Sequence, residues 1–243
     1  MDKATLRDRI WDELEERGEA RFPFPPHGRI PNFAGASEAA DRLAATDEWA
    51  NAESIKANPD APQLPVRRAA LRDGKTVYVA VPRLRDEQAF RRLDPDAIDD
   101  HDAATTVGGI DEYGDPVGPE GMETVDLIVS GGVAVAEDGG RVGKGEGYSD
   151  LEFAVLREFG LVDDDTTTAT TVHELQVAET PPPADHDVPM DLVVTPDRTV
   201  RTGAGAKPSG IDWAALGERV DEMPVLERLQ AGEEGESADP DSR

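Results

Sequence analysis

The chain has 243 residues, of which 37% are hydrophobic, enough to build a sizeable core. With 52 acidic against 25 basic residues its net charge is -27, and such a field repels nucleic acid and anionic membranes. The absence of cysteine excludes disulfide bonds, thiolate metal sites and cysteine nucleophiles. We therefore expect an acidic globular protein that binds neither nucleic acid nor anionic membranes.

The N-terminal sequence MDKATLRDRIWDEL is charged and lacks the apolar core of a signal peptide. No stretch of the chain approaches the ~20 apolar residues that cross a bilayer. These features predict a cytoplasmic protein, and we expect a monomer or a weak homodimer. Lysine is scarce and most of the 25 basic residues are arginine, which we interpret as halophilic adaptation to a high-salt cytoplasm.

The first third of the chain is predicted to be mainly helical. Leu6, Ile10 and Leu14 recur at helical spacing, which predicts an amphipathic helix over residues 3–17. The proline- and phenylalanine-rich segment at 21–33 is predicted to be an ordered loop. Two further helices are predicted, at 36–50 and 62–72.

Strands are predicted to dominate the rest of the chain. Apolar, β-branched runs occur at 76–82, 125–136, 169–177 and 190–196. An apolar stripe predicts a helix over 148–160 between them. Strands separated by helices predict an α/β domain with a largely parallel sheet, whose ligands bind at the carboxyl ends of the strands.

The remaining segments set the limits of the domain. Residues 97–120 are polar and turn-rich and are predicted to be a loop insertion. We expect a single domain over residues 1–231 and an acidic disordered tail over 232–243.

The run GGRVGKGEGYSD at 139–150 is the densest cluster of glycines in the chain. Glycine amides, the cations Arg141 and Lys144, and a helix that begins near Ser149 are what a phosphate cradle needs. The order G-K-G-E-G matches neither a Walker A loop nor a dinucleotide fingerprint. Spacing alone favours a hairpin turn and a phosphate loop equally.

The same stretch, extended to DLIVSGGVAVAEDGGRVGKGEGYSD, resembles the signature of 5-formyltetrahydrofolate cyclo-ligases, also called methenyltetrahydrofolate synthetases. Over most of its length the chain is more similar to a side branch of that family, the methenyltetrahydrofolate-synthetase-domain-containing proteins. The segments that carry this closer resemblance are RIPNF (29–33), VPRLR (81–85), GRVGKGEGYSDLE (140–152), TVHELQV (171–177), DHDVPMDLVVTPDR (185–198) and KPSGIDW (207–213).

This resemblance implies a three-layer α/β/α fold of the NagB/RpiA/CoA-transferase type and an ATP-dependent reaction. In the cyclo-ligases ATP phosphorylates the formyl oxygen of 5-formyltetrahydrofolate and N10 closes onto the activated carbon. The products are 5,10-methenyltetrahydrofolate, ADP and phosphate. Phosphoryl transfer depends mostly on positioning and charge neutralisation, so glycine amides, cations and Mg²⁺ can carry it without a protein nucleophile.

The resemblance also implies roles for individual residues. ATP binding is implied for Lys3, Arg7, Arg141, Gly143, Lys144, Gly145, Gly147 and Tyr148. Catalysis is implied for Arg141, Lys144 and Tyr148, and substrate contact for Gly145, Glu146, Gly147 and Tyr148. Asp150 and Asp191 match the two acids associated with Mg²⁺, which prefers hard oxygen ligands.

Two departures from the family pattern concern the folate half of the site. The usual tandem tyrosine is Tyr148-Ser149 here, and the acidic residue that contacts folate aligns near Glu53 and Ser54 without matching. These departures leave two hypotheses. The first is a catalytic cyclo-ligase that acts on a reduced folate or related pterin. The alternative is a non-catalytic or repurposed homologue that binds nucleotide, pterin or a protein partner.

Overall fold

The structure is a computed structural model that describes residues 1–237. Its α-helices are α1 (Lys3–Glu16), α2 (Ala36–Ala44), α3 (Asp47–Asn51), α4 (Leu64–Arg72), α5 (His101–Ala104), α6 (Val107–Tyr113), α7 (Tyr148–Glu158), α8 (Trp213–Leu216) and α9 (Pro224–Ser237). Its strands are β1 (Ala20–Arg21), β2 (Asn32–Phe33), β3 (Ser54–Ala57), β4 (Thr76–Ala80), β5 (Phe90–Leu93), β6 (Asp115–Val117), β7 (Leu127–Val129), β8 (Ala134–Val135), β9 (Arg141–Val142), β10 (Thr167–Thr171), β11 (Leu192–Val194) and β12 (Thr199–Arg201).

Eight strands form the central sheet, in the order β12-β11-β10-β7-β3-β4-β5-β6. The five strands from β11 to β4 are parallel, and the three at the two edges pair antiparallel. The predicted, largely parallel sheet is therefore confirmed. The carboxyl ends of the parallel strands therefore lie along the same side of the sheet, where the loops after β3 and β4 begin.

Helices cover both faces of this sheet, which makes the predicted three-layer α/β/α architecture. One face packs against α2 and α4 through Leu43, Val66 and Ala70, all fully buried. The other face packs against α7 through Phe153 and Val155. Apolar residues from both faces of the parallel strands are buried, as expected for strands covered on two sides.

The sequence prediction missed the central strand. β3 is four residues long and carries Lys56 in its middle, so it shows no continuous apolar run. All four of its residues are nevertheless buried, and Lys56 is accommodated by an ion pair with Glu152. The antiparallel strand β5, next to the edge strand, was missed as well, because its sequence is Phe-Arg-Arg-Leu.

The prediction of a loop insertion at 97–120 was wrong in detail. That segment contains α5, α6 and the edge strand β6. Thr106 caps α6 by accepting a hydrogen bond from the amide of Gly109, and Ile110 packs into the core. Short helices that begin at polar caps resemble turn-rich loops in sequence, because each has a single apolar anchor.

The C-terminal helix α9 continues to Ser237, past the predicted start of the tail at 232, and residues 238–243 lie outside the described part of the chain. Among the described helices, none combines the length and apolar character needed to cross a membrane.

Candidate functional site

The glycine run has two parts in the structure, a hairpin turn and a connection from β9 to α7. Its first part is the tight turn of the β8–β9 hairpin, where Gly139 has a φ of 94° and the amide of Ala136 donates to the carbonyl of Gly140. Its second part, residues 143–147, connects β9 to α7, and we call it the glycine loop. Gly145 and Gly147 have positive φ values of 115° and 73°, which glycine adopts at little cost. Glycine at these two positions therefore lets the loop turn into α7 without backbone strain.

The first helix carries two residues for which ATP binding was expected, Lys3 and Arg7, and it approaches this loop through Arg7. Arg7 donates from Nε to the carbonyl of Gly143 at 2.7 Å, and its guanidinium lies 3.4 Å from where a Cβ on Gly145 would be. Lys3 lies on the same helix face and pairs with Asp187 at 2.5 Å. The structure thus brings Arg7 to the glycine loop, whereas Lys3 contacts the neighbouring segment.

Arg141, which is buried, and Asp150, which is partly buried, form an ion pair at the base of the loop. Arg141 Nη2 contacts Asp150 Oδ1, and Nη1 donates to the carbonyl of Gly131 at 3.1 Å. Asp150 Oδ1 also accepts from the amide of Val188 at 3.0 Å. Both contacts use Oδ1, which leaves Oδ2 of Asp150 for another ligand.

A cleft of about 300 Å³ opens beside the glycine loop, at the carboxyl ends of β3 and β4. Its walls come from residues 58–60, 80–83, 143–144 and 146–150, together with Ile30, Arg141 and Glu152. This is the edge at which a parallel sheet is expected to bind ligands. A larger cleft of about 730 Å³ lies on the other side of Arg141, along residues 180–189, so Arg141 contributes to both.

Three charged groups meet at the mouth of the smaller cleft. Lys144 Nζ lies 2.8 Å from Glu146 Oε2, and Arg83 Nη2 lies 3.4 Å from Glu146 Oε1. The hydrogen bond from Lys144 lowers the pKa of Glu146, with a smaller contribution from Arg83. Two cations therefore hold a carboxylate at the place where the family resemblance implies phosphate binding.

The loop after β3 supplies an acid that the sequence did not reveal. Burial raises the pKa of Asp60, although the charges of Lys144, Arg67 and Lys56 oppose the rise. Arg67 is buried under this loop, donates to the carbonyls of Asn58 and Asp60, and has its pKa lowered to about 10 by burial. The backbone that carries Asp60 is consequently held in place from below.

The positions at which this chain departs from the family pattern lie in two different parts of the structure. Ser149 faces the cleft, and its hydroxyl accepts from Asn58 Nδ2 at 2.8 Å. Ser54 and the amide of Glu53 instead bind the carboxylate of Asp126 at the amino end of β3, away from the cleft. In the segment that follows β3, Asp60 lines the cleft, whereas Glu53 and Ser54 lie away from it.

The two predicted magnesium ligands do not share a partner. Asp191 stands at the amino end of β11, where its Oδ2 accepts from Thr168 at 2.8 Å and from Lys207 at 3.0 Å. Within residues 1–237 no group of three or more histidine or acidic side chains is placed to hold a metal ion. Mg²⁺ commonly binds one or two carboxylates together with phosphate oxygens and water, and Asp150 beside the glycine loop suits that chemistry.

The chain is similar in sequence to known proteins over almost its whole length. The model of the 5-formyltetrahydrofolate cyclo-ligase family matches residues 1–196. This chain belongs to that family. It is 41% identical over 241 residues to the methenyltetrahydrofolate synthase domain-containing protein of Bos taurus and 37% identical to that of Homo sapiens, covering 96% of this chain in both cases. The chain spans 63% of the length of these two relatives.

A solved structure supports the fold. The 5,10-methenyltetrahydrofolate synthetase of Aquifex aeolicus superposes with a TM-score of 0.53 at 20% identity, covering 85% of this chain and 96% of that one. At this identity the similarity concerns the fold alone, and it agrees with the three-layer architecture described above.

Proposed function

We propose that this protein uses ATP to cyclise 5-formyltetrahydrofolate, or a related formylated pterin, to the 5,10-methenyl form, with release of ADP and phosphate. The observation that carries the proposal is the convergence of Arg7, Lys144 and Arg83 on one glycine loop beside a cleft at the carboxyl edge of the sheet. Family membership supplies the reaction class.

The chemistry needs positioned charge and no protein nucleophile. Transfer of the terminal phosphoryl group to the formyl oxygen makes that oxygen a leaving group. N10 then attacks the formyl carbon and loses its proton, and the oxygen departs with the phosphate. Lys144, Arg83 and Arg7 would stabilise the phosphate charges, and exchange of Glu146 for phosphate on Lys144 and Arg83 keeps those cations paired.

Mg²⁺ bound to the phosphates would supply further charge neutralisation. Asp150 is the candidate ligand of this chain, through Oδ2. We propose Asp191 only as a residue that supports β10 and Lys207, because it stands at the amino end of β11 and does not line the cleft beside the glycine loop.

The test is the formation of the methenyl chromophore from 5-formyltetrahydrofolate with ATP and Mg²⁺, at low salt and in molar KCl. We expect turnover by the native chain and a loss of about a hundredfold in Lys144→Ala. Arg72, the last residue of α4, pairs with Asp102 away from the cleft. The control Arg72→Ala removes this cation and should leave turnover unchanged. No product at either salt concentration would contradict the proposal.

A second candidate is binding without turnover, by a repurposed homologue that recognises nucleotide, pterin or a protein partner. Ser149 favours it, because its hydroxyl is engaged by Asn58 and it lacks the ring of the family's usual tyrosine. If calorimetry shows that the chain binds ATP but no methenyl product forms, this second function is supported.

A further inference from the structure

We propose that residues 210–228, which we call the C-terminal bridge, fix the two loops at the mouth of the cleft, and that Arg219 is the residue that positions the glycine loop. This inference deepens the proposed function, on which its nucleotide-binding consequence rests. The bridge lies beyond residues 1–196, the part of the chain that the family model matches.

The bridge runs along α7 in the opposite direction to the helix. At the C-terminal end of α7, Glu158 Oε1 accepts from the amide of Ile211 at 3.0 Å. Further along, Leu216 and Val220 are buried in the same hydrophobic cluster as Leu151 of α7. Burial of these apolar side chains attaches the bridge to α7, the helix that follows the glycine loop.

Arg219 reaches the glycine loop at the opposite end of α7. Its guanidinium carbon lies 5.0 Å from the centroid of the Tyr148 ring, and Nη2 donates to the carbonyl of Glu146 at 3.2 Å. These contacts fall on both sides of Gly147, which has a φ of 73° and no side chain to limit its motion. Arg219 therefore restrains the hinge between the loop and α7 from outside.

The same bridge holds the second loop, residues 82–88, which carries Arg83. Glu222 pairs with Arg85 at 2.8 Å, and Arg228 pairs with Glu87 at 2.8 Å. Beneath these ion pairs the bridge buries Met223 and Leu226 in the cluster that contains Leu84.

This second loop needs such support. Arg83 and Leu84 have φ values of 61° and 53°, a left-handed conformation that costs energy for side chains other than glycine. The exposed ion pairs contribute little by themselves, so the apolar contacts carry most of the attachment. One segment thereby sets the relative position of Arg83 and Lys144, the two cations that hold Glu146.

Loss of Arg219 should loosen the glycine loop without removing a group that touches substrate. In Arg219→Ala we expect the affinity for a non-hydrolysable ATP analogue to fall about threefold to tenfold, the range of a lost cation–π contact. We expect the KM for ATP to rise by a similar factor, while kcat at saturating ATP stays near that of the native chain. Arg219→Lys keeps a cation over the ring and should recover part of the affinity.

The direct test is hydrogen exchange of the ligand-free protein at residues 143–148, followed by mass spectrometry. Arg219→Ala should exchange faster there than the native chain, and Arg72→Ala, the control for loss of a surface cation, should not. Tyr148→Leu removes the ring from the other side of the contact and should also speed exchange, so the test does not depend on one variant folding.

Unchanged exchange in both Arg219→Ala and Tyr148→Leu would overturn the inference. Failure of the native chain to bind ATP would contradict the proposed function, and the exchange result would still decide the role of the bridge.

Discussion

Lys56 on the central strand and Glu152 on α7 form an ion pair in which the side chains are 1% and 7% exposed. The pair joins the middle of the sheet to the helix that follows the glycine loop. Burying two charges is costly, and removal of one partner leaves the other charged group unpaired in the interior. The pair therefore makes the packing of α7 sensitive to either residue.

Glu152→Gln should lower the free energy of unfolding by about 3–5 kcal/mol, because Lys56 then remains buried without a counter-charge. Urea denaturation followed by circular dichroism measures the change. The double variant Lys56→Met with Glu152→Leu replaces the pair by apolar groups and should recover most of the loss. A cost below about 1 kcal/mol for Glu152→Gln would show that water or another group compensates the lysine charge.

The sequence predicts the architecture well where apolar periodicity is strong. β4, β7, β10 and β11 lie within or overlap their predicted segments, and α7 begins at Tyr148 as its apolar stripe indicates. β3 escapes prediction although it lies at the centre of the sheet, because Lys56 interrupts its apolar pattern. The charge there is tolerated only through a partner 96 positions away, which no local pattern reveals.

The same limit applies to the site. The glycine spacing and the resemblance predict a loop that Arg7 approaches, and the structure places Arg7 there. Asp60, Arg83 and Arg219 are brought to the loop by elements that are distant in the sequence. Of these, only Arg83 stood in a segment already matched to the family, so the quoted VPRLR motif could have identified it.

Asp60 provides a pH-dependent prediction. Burial raises its pKa in the folded chain, so the stability that its protonated form provides is fully present below the ordinary pKa of aspartate. That stability is lost as the pH rises through the higher, folded-state pKa. Asp60→Asn should therefore be more stable than the native chain at neutral pH.

The advantage of Asp60→Asn should disappear in acid, where the native carboxyl is protonated in both the folded and the unfolded chain. Chemical denaturation at a series of pH values measures this convergence. Asp99→Asn, which changes an exposed acid, should give no such gain. A stability difference that does not change with pH would assign the effect to packing.

Glu146 competes with the ligand that the site is proposed to bind. Its carboxylate occupies Lys144 and Arg83, and hydrogen bonding from Lys144 keeps its pKa low, so it is an anion at neutral pH. Glu146→Gln should raise ATP affinity by about threefold to tenfold, since phosphate no longer displaces a charged group. Titration calorimetry measures the change, and the gain should shrink in high salt. Glu16→Gln removes an exposed acid at the end of α1 and is the matched control; an equal gain there would indicate a general effect of net charge.

The net charge of -27 predicts a strong dependence of stability on salt. Repulsion among surface carboxylates opposes the compact state, and in 1 M salt the screening length falls to about 3 Å, so this repulsion is largely removed. The surface ion pairs weaken too, but each contributes at most about 1 kcal/mol. We therefore expect the thermal midpoint to rise by several degrees between low salt and molar KCl. For a domain of this size, a gain of about 1 kcal/mol in the free energy of unfolding raises the midpoint by ~2–4 °C. Calorimetry in matched concentrations of KCl and NaCl separates screening, which both salts provide equally, from a specific effect of potassium. Equal midpoints at low and high salt would contradict the hypothesis of adaptation to a high-salt cytoplasm.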